Sequence, residues 1–403
     1  MKIMDRFSQN TKELIWNTII FSSILISGFS IDIYSPSLPA VTRYFHIDQQ
    51  LVQFTITTYL LGYGLAQLVA GSVCDSVGRR TPFIWAAFFF FIFSLLIPHA
   101  ESIYQLQILR LLQGIAVGFV NVPGRAIIAD VYQGKEFYKM MNTMTIVWAL
   151  GPIIAPVIGG YLQHYIGWQA SFYFLAIYGF LIFVLCFLLP ETIKEKRPFN
   201  LKKMSKQYYQ ILVHWHYFLG LICMGSLYLL LILFGLVAPF LIQNVLHYTP
   251  IQFGHMALYT SLSWFLGSTT NRFLIHIDIS KKVYFNLFLM LLTTTVMLLF
   301  ALKESISVYD IIIPTAILFY FGGMIFPNYF ARNIEFFQHA AASANALMGA
   351  GIVLIVTLGS ALGTLLKSHS QVPLTLAYMT IVLICLLSCF LNHRIPRLQD
   401  PVK

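Results

Sequence analysis

The sequence is poor in charge. Only 10% of its 403 residues are Asp, Glu, Lys or Arg, against about 25% in an ordinary soluble domain. Hydrophobic residues make up 58%, and the mean hydropathy is +0.75. A chain with so few charges lacks the polar side chains needed to cover a water-facing surface of its size. The composition therefore predicts an all-α polytopic membrane protein.

The residue patterns of enzyme and metal sites are also missing. There is no glycine-rich phosphate loop ending in Lys-Ser or Lys-Thr, no His-x-x-x-His or Cys-x-x-Cys spacing, and no pair of acids within one apolar run. The five cysteines lie mostly in apolar segments, which implies neither a disulfide nor a metal site. We expect no enzyme activity, no cofactor and no metal. Without an ATP site, energy would have to come from an ion gradient.

Nucleic acid is not an expected partner, although the net charge is +10. The Lys and Arg residues are scattered through short loops and form no single basic face.

Apolar runs of about 20 residues recur along the chain, broken by charges, proline and glycine. A run of that length crosses a membrane as a helix. Twelve spans are predicted, at residues 14–38, 51–71, 82–98, 104–128, 142–163, 170–190, 214–239, 252–274, 283–302, 308–331, 339–366 and 373–392.

The basic residues are distributed unevenly between the loops. With the N-terminus inside, only Arg43, Lys303 and Lys367 of the 25 Lys and Arg residues fall in outer loops, while Arg110 and Arg125 fall within the fourth span. All the others lie in inner loops or near the chain ends. By the positive-inside rule, both termini are predicted to face the cytoplasm.

The longest charged stretch, ETIKEKRPFNLKKMSK at 191–206, separates the sixth and seventh spans. It predicts an N-terminal six-helix bundle at 1–190, a solvated cytoplasmic linker at 191–213 and a C-terminal six-helix bundle at 214–403. Two such halves are typical of parallel-repeat transporters, whose substrate site lies near the midplane between the halves. A twelve-span permease of another architecture would give a similar hydropathy pattern.

Two opposite charges lie inside predicted spans, where a lipid-exposed charge costs about 3 kcal/mol or more. Asp32 lies in GFSIDIYSPSLP at 28–39, and Arg110 lies in the fourth span. Each is roughly 9 Å below the outer end of its span, so we expect the two to meet, directly or through water, inside the first bundle. Burial favours a neutral acid and a nearby arginine favours a carboxylate, so the pair can act as a proton switch. The alternative is an ion pair that only fixes helix packing.

Polar and aromatic residues recur at helical spacing around these charges, on the second and fourth spans. Such a stripe faces protein or water rather than lipid. The residues predicted to line a substrate cavity are Tyr34, Thr58, Tyr59, Tyr63, Gln113, Asn121 and Trp148. Packing or anchoring at the membrane interface is the alternative for the aromatic residues, and a hydrogen bond to a neighbouring helix is the alternative for Asn121.

The turn between the second and third spans reads GSVCDSVGRRTPF at 71–83. Its glycines permit a tight turn, and an aspartate and two arginines supply fixed charges. The pattern resembles the signature loop of the major facilitator superfamily, Gly-x-x-x-Asp-x-x-Gly-Arg-Arg. A gating cluster at the inner ends of the helices is predicted, with a plain surface salt bridge as the alternative. Its residues are Asp75, Gly78, Arg79, Arg80, Arg125 and Asp130.

The fifth span carries WALGPIIAPVIGG at 148–160. Small residues recur every four positions and let a neighbouring helix approach closely, while two prolines bend or loosen the helix. Gly-Pro followed by Gly-Gly resembles the antiporter motif of exporters in the same superfamily. The residues concerned are Gly151, Pro152, Pro156, Gly159 and Gly160.

Together with LQILRLLQG at 106–114 and LPET at 189–192, these motifs resemble the bicyclomycin/chloramphenicol resistance (Bcr/CflA) branch of the drug:proton antiporters. The resemblance covers nearly the whole chain and is strongest over 28–192. It implies twelve transmembrane helices in two six-helix bundles, in a bacterial inner membrane, with Asp32 and Arg110 as the proton-coupling pair. A monomer is expected, with protons, a small molecule and the lipid bilayer as partners.

The function implied by the resemblance is proton-coupled export of a small amphipathic molecule, either a drug or a toxic metabolite. Two departures from the branch pattern, Gln169 after Gly-Trp and Ser35 after Asp-x-Tyr, leave the substrate open. An exporter of an endogenous siderophore or metabolite is the first alternative, and a proton-coupled importer of a nutrient or siderophore is the second.

Overall fold

The chain forms long apolar helices joined by short turns in a computed structural model, which describes residues 8–193, 195–196, 198–274, 276–303, 306–337, 341–368 and 370–394. The chain ends, predicted to be cytoplasmic, lie outside these residues. The α-helices are α1 (Gln9–Asp32), α2 (Leu38–Phe45), α3 (Gln49–Val77), α4 (Arg80–Leu96), α5 (Ile103–Val131), α6 (Gly134–Tyr165), α7 (Trp168–Cys186), α8 (Leu201–Leu212), α9 (Trp215–Phe240), α10 (Pro250–Phe273), α11 (Ile279–Ala301), α12 (Val308–Glu335), α13 (Ala341–Gly363) and α14 (Val372–Arg394).

Eleven membrane-crossing helices are identified by length and composition in the described part of the chain. The predicted span at 252–274 is not among them. It coincides with α10, whose 24 residues give a length of about 36 Å but include many Ser, Thr, Gln and His residues. Its length is sufficient to cross a bilayer, and its polar composition is what sets it apart.

The first span is interrupted where the sequence predicts one stretch over 14–38. Helix α1 ends at Asp32, a 3₁₀ turn follows at Ser35–Ser37, and α2 begins at Leu38. Pro36 and Pro39 explain the interruption because proline has no N–H to donate to the preceding turn. Asp32 therefore lies at the C-terminal end of a helix.

The chain divides into two compact units. The first contains the described residues up to Leu201 together with Tyr248–Leu258, and the second contains Lys202–His247 and the described residues from Tyr259 onward. In the first unit α3 packs on α5, α4 on α5 and α7, and α1 on α6. In the second, α9 packs on α13 and α14, and α11 on α12 and α14. The domain bounds at 190 and 213 stay a prediction.

Candidate functional site

Arg110 lies in α5 with 0% of its surface exposed. Its Nη1 donates to the Ser30 carbonyl oxygen at 2.9 Å and to Gln113 Oε1 at 2.6 Å. Gln113 in turn donates through Nε2 to Ser94 Oγ at 2.7 Å. These hydrogen bonds tie α5 to α1 and α4 inside the first unit and hold the guanidinium in place.

Three aromatic rings surround the guanidinium. Its carbon lies 4.4 Å from the ring centroid of Tyr59, 5.4 Å from that of Tyr34 and 5.7 Å from that of Phe172. The negative face of an aromatic ring attracts a cation, and the attraction is stronger where water is excluded. The rings therefore replace part of the hydration that Arg110 loses on burial.

The hydrogen bonding of Arg110 is incomplete. Its Nε and Nη2 are buried and have no hydrogen-bond partner among the described residues. A buried charged donor without an acceptor is costly, and removing one partner of a buried ion pair typically costs about 3 to 5 kcal/mol. An acceptor that reached these two nitrogens would relieve that cost.

Asp32 does not form a direct ion pair with Arg110. Within the described residues, its carboxylate has no ion pair or hydrogen bond, and the side chain is half-buried. The guanidinium instead contacts the backbone of Ser30, two residues before Asp32. The pair is expected to meet directly or through water. Direct contact is absent from this arrangement because Arg110 is bound to the Ser30 backbone and to Gln113.

The other predicted cavity residues divide into two groups. Tyr63 and Asn121 form a buried pair between α3 and α5, in which Asn121 Nδ2 donates to the Tyr63 hydroxyl oxygen at 2.8 Å. Asn121 Oδ1 is buried without a partner in the described structure. Thr58 and Trp148 are half-buried on α3 and α6, and the Thr58 hydroxyl donates to a carbonyl of its own helix. Asn121 thus makes the interhelical hydrogen bond given above as the alternative to a cavity role.

At the inner ends of α3 and α5, Arg79 forms ion pairs with two carboxylates. It contacts Asp75, and its Nε lies 3.3 Å from Asp130 Oδ2. Burial alone would lower the pKa of Arg79, but the two carboxylates outweigh burial and raise that pKa. Thr192 also donates to Asp130 Oδ2, at 2.7 Å. Arg125 has no ion pair in the described part of the chain, so it stands apart from this contact set.

Glu191 completes the cluster, although the sequence pattern does not single it out. Its carboxylate accepts the backbone N–H of Arg79 at 2.9 Å and that of Arg80 at 3.2 Å, at the start of α4. Burial alone would raise the pKa of Glu191, but backbone N–H groups of Arg79, Ile193, Arg80 and Thr192 hold it below its ordinary value. Gly78 has φ +121°, a conformation that favours glycine. The only sequence signal for Glu191 is its place in LPET.

The small residues of α6 lie against α1. A Cβ on Gly151 would be 3.1 Å from the Gly28 Cα, and a Cβ on Gly159 would collide with the Ile33 carbonyl oxygen. Gly160 likewise faces the Pro250 carbonyl at the start of α10, within the first unit. Both Pro152 and Pro156 are inside α6. The α6 face therefore touches the chain next to Asp32.

The fold and the two charged clusters, at Arg110 and at Arg79, can now be compared with known proteins. A model of the Major Facilitator Superfamily matches residues 20–331. The chain belongs to this superfamily. It is therefore a multi-pass membrane transporter of small molecules and not an enzyme. The family prediction is confirmed.

The transporter has relatives in several bacteria. It is 29% identical to an uncharacterized MFS-type transporter, YdgK, of Bacillus subtilis, over 87% of this chain and 88% of the relative. It is 24% identical to a bicyclomycin resistance protein homolog of Haemophilus influenzae, over 91% and 93%. It is 26% identical to the multidrug resistance protein MdtM of Escherichia coli, over 59% of each chain. These names agree with the Bcr/CflA branch.

A solved structure, that of a D-xylose-proton symporter, matches the transporter with a TM-score of 0.76. It covers 94% of this chain and 97% of that one, at 15% identity. The likeness shows the fold alone, and it confirms the predicted major facilitator architecture.

Proposed function

We propose that this transporter exchanges protons for a small amphipathic molecule, a drug or a toxic metabolite, and so exports it across a bacterial inner membrane. Asp32 carries the proton, and Arg110 controls its release. One observation carries the proposal. A fully buried guanidinium has two nitrogens without acceptors among the described residues and is bound to the backbone two residues from an unpaired carboxyl group.

Two features of this arrangement favour a protonated Asp32. The side chain has no cationic partner among the described residues, and it ends α1, where the partial negative charge of the helix dipole opposes a carboxylate. If Arg110 moved to Asp32, its Nε and Nη2 would gain a charge-assisted acceptor and the ionised acid would be favoured. The proton would then leave. A cationic or polar substrate bound beside the ionised Asp32 would oppose its reprotonation, so proton and substrate would alternate at the site, as antiport requires.

The α6 contact links this exchange to helix movement. Gly151 and Gly159 hold α6 against the segment that contains Asp32, so a shift of α6 changes the surroundings of the acid. Alternating access requires such a coupling between a helix and the bound ion. The ion-pair cluster at Arg79 is the second element of the proposal, as the inner gate that is held in one state and released in the other.

Export is favoured over import by the resistance proteins among the relatives and by the Gly-Pro motif of α6. Secretion of an endogenous product such as a siderophore would use the same machinery. A panel of dyes, antibiotics and siderophores, tested in a host that lacks its own efflux pumps, separates these two substrate classes.

The test of coupling is Asp32→Asn in proteoliposomes with an imposed proton gradient. With an acidic lumen, an antiporter accumulates a dye substrate as protons leave, whereas a symporter carries the dye out. We expect the wild-type protein to accumulate dye and Asp32→Asn to lose gradient-driven accumulation while it still exchanges labelled for unlabelled dye at equilibrium.

The matched control is Asp48→Asn, which removes an exposed carboxylate of the same unit that makes no capping hydrogen bond. It should transport like the wild type. Full gradient-driven accumulation by Asp32→Asn would disprove the role of Asp32, and dye expulsion from acidic vesicles by the wild type would replace antiport with symport.

A further inference from the structure

A cavity of about 320 Å³ lies inside the second unit, among α9, α11, α12 and α14. It is at the end of the unit where α9 and α11 begin and where α12 and α14 end, which is the end predicted to face the cytoplasm. Its polar lining comes from all four helices. The polar residues include His216, Ser280, Asn328, Arg332, Asn392 and His393, and two tyrosines also line the cavity.

The lining contains one permanent cation and no acid. Arg332 contributes a guanidinium, which has no ion pair in the described residues, and two histidines add ring nitrogens. The carboxylate nearest in sequence, Asp278, is exposed and caps the Lys281 N–H at 3.0 Å. It is not part of the lining. Among the described lining residues, the only permanent charge is therefore positive.

Asn392 supplies an independent observation that points to a ligand. The residue is only 5% exposed, its Oδ1 lies 2.5 Å from His216 Nδ1, and its Nδ2 has no hydrogen-bond partner in the described structure. With its oxygen engaged by the histidine, the amide of this lining residue keeps N–H donors that have no acceptor among the described residues. A buried donor without an acceptor is costly, so the site requires a hydrogen-bond acceptor.

The first unit shows what an acceptor does at the corresponding place. There, the third membrane-crossing helix, α4, packs on the sixth, α7, and the carboxylate of Glu191 after α7 accepts two N–H groups at the start of α4. In the second unit α11 packs on α14 in the same order, and the cavity adjoins the first residues of α11. There the described carboxylate is that of Asp278, the N-cap of α11, which accepts the Lys281 N–H and does not line the cavity.

We infer that this cavity binds a phosphate group, held by Arg332, the Asn392 amide, His393 and the start of α11. A guanidinium presents paired N–H donors that fit phosphate oxygens, and the N-terminus of a helix attracts an anion. The volume is at the small end of ligand pockets, which suits a headgroup or a small phosphate ester. The phosphate comes from an anionic phospholipid of the inner leaflet or from a soluble compound.

The test is independent of proton coupling and uses the purified full-length protein. Thermal unfolding is measured in detergent against inorganic phosphate, with chloride at equal ionic strength as the reference, and again in nanodiscs of phosphatidylglycerol or of phosphatidylcholine. A ligand that binds the folded state raises the unfolding temperature in proportion to the logarithm of its concentration over Kd.

Three variants probe the site. Arg332→Gln removes the cation, Asn392→Asp places a carboxylate where the free amide is, and His393→Gln alters an exposed rim residue that carries little folding risk. Arg272→Gln is the matched control because Arg272 is an exposed arginine at the same end of the unit that does not line the cavity. We expect Arg332→Gln and Asn392→Asp to weaken phosphate or phosphatidylglycerol binding by about tenfold to a hundredfold, and His393→Gln to weaken it less.

Stabilisation by free phosphate identifies a soluble ligand, and stabilisation by phosphatidylglycerol alone identifies the lipid. Either result supports the site only if Arg272→Gln keeps the effect and the cavity variants lose it. The inference is overturned if neither ligand stabilises the wild type, or if the cavity variants and Arg272→Gln respond alike. Should Arg332→Gln fail to fold, Asn392→Asp and His393→Gln decide the matter.

Discussion

Glu191 and Arg110 differ in how completely their charged groups are hydrogen-bonded. The Glu191 carboxylate is surrounded by backbone N–H groups at the start of α4 and nearby in the chain, so its position is fixed. Arg110 has acceptors for one of its three nitrogens and none for the other two in the described residues. A saturated group stabilises one arrangement, whereas an unsaturated one is ready to exchange partners.

The hydrogen bonds of Glu191 predict how its contribution to stability depends on pH. Its pKa is below the ordinary 4.5 because four backbone N–H groups favour the ionised form over the effect of burial. A carboxyl group with a lowered folded-state pKa stabilises the protein above its unfolded-state pKa, and that contribution is lost as pH falls through the lowered value. Glu191→Gln should therefore be less stable than the wild type at neutral pH, and the difference should shrink below pH 4.5.

Thermal unfolding of the two proteins from neutral pH downward measures that difference. Glu136→Gln removes an exposed carboxylate from the first turn of α6 and is the control. A stability gap between Glu191→Gln and the wild type that stays constant across the acid range would show that the Glu191 charge is not what anchors α4.

Sequence reasoning found Arg110, Asp32 and three neighbours of the guanidinium, Gln113, Tyr34 and Tyr59, but not its other neighbours. A charge within an apolar run is conspicuous because it has a high cost in lipid. Ser30, Ser94 and Phe172 are ordinary residues of membrane helices, and only the fold brings them to the guanidinium. Glu191 lies in a charged stretch, and apart from its place in LPET nothing in the sequence separates it from a solvated acid.

At the scale of helices, α6 contacts the chain directly beside Asp32, at the end of α1. Gly159 has no room for a side chain because the Ile33 carbonyl occupies the place of a Cβ. Gly159→Ala should force α6 away from α1 and cost about 1 to 3 kcal/mol. It should also slow transport, since the surroundings of Asp32 change.

Gly71→Ala is the control for this change, because the nearest atom to a Cβ there is 3.9 Å away. Unfolding in detergent and dye exchange in proteoliposomes give the two readouts. If Gly159→Ala matched Gly71→Ala in both unfolding and dye exchange, the close approach of α6 and α1 would have no role in transport.

The periodicity of small residues in α6 predicts a packing face, but it does not predict the partner. It is the tertiary fold that selects α1, at Gly28 and Ile33. The interruption after Asp32 could have been predicted from the sequence, since Pro36 and Pro39 are helix breakers. A hydropathy pattern averages over them and therefore gives one continuous span.

At the scale of the whole molecule, the orientation in the membrane stays a prediction that rests on basic residues. We expect alkaline phosphatase fused after Ala100, between α4 and α5, to be active and the same enzyme fused after Gln133 to be inactive. A fluorescent protein at the C-terminus should fluoresce. The reverse pattern of phosphatase activity would invert the topology and move the Arg79 cluster to the outer side.

The family could be predicted from the sequence because its motifs are local. The turn at 71–83, the α6 pattern and the twelve apolar runs each depend on residues close together in the chain, and the family match agrees with them. The cavity in the second unit has no such local signature. Its lining residues come from four helices that are far apart in sequence.

The sequence by itself determined the class of protein, the helices and the two charges that must find partners, because composition, periodicity and the cost of a charge in lipid are local or summed properties. Only the tertiary structure decided which partner each charge has. Arg110 binds the Ser30 backbone and Gln113 rather than Asp32, and Glu191, which follows α7, anchors the start of α4. Such choices depend on distances of a few ångströms between distant segments, which no local pattern encodes.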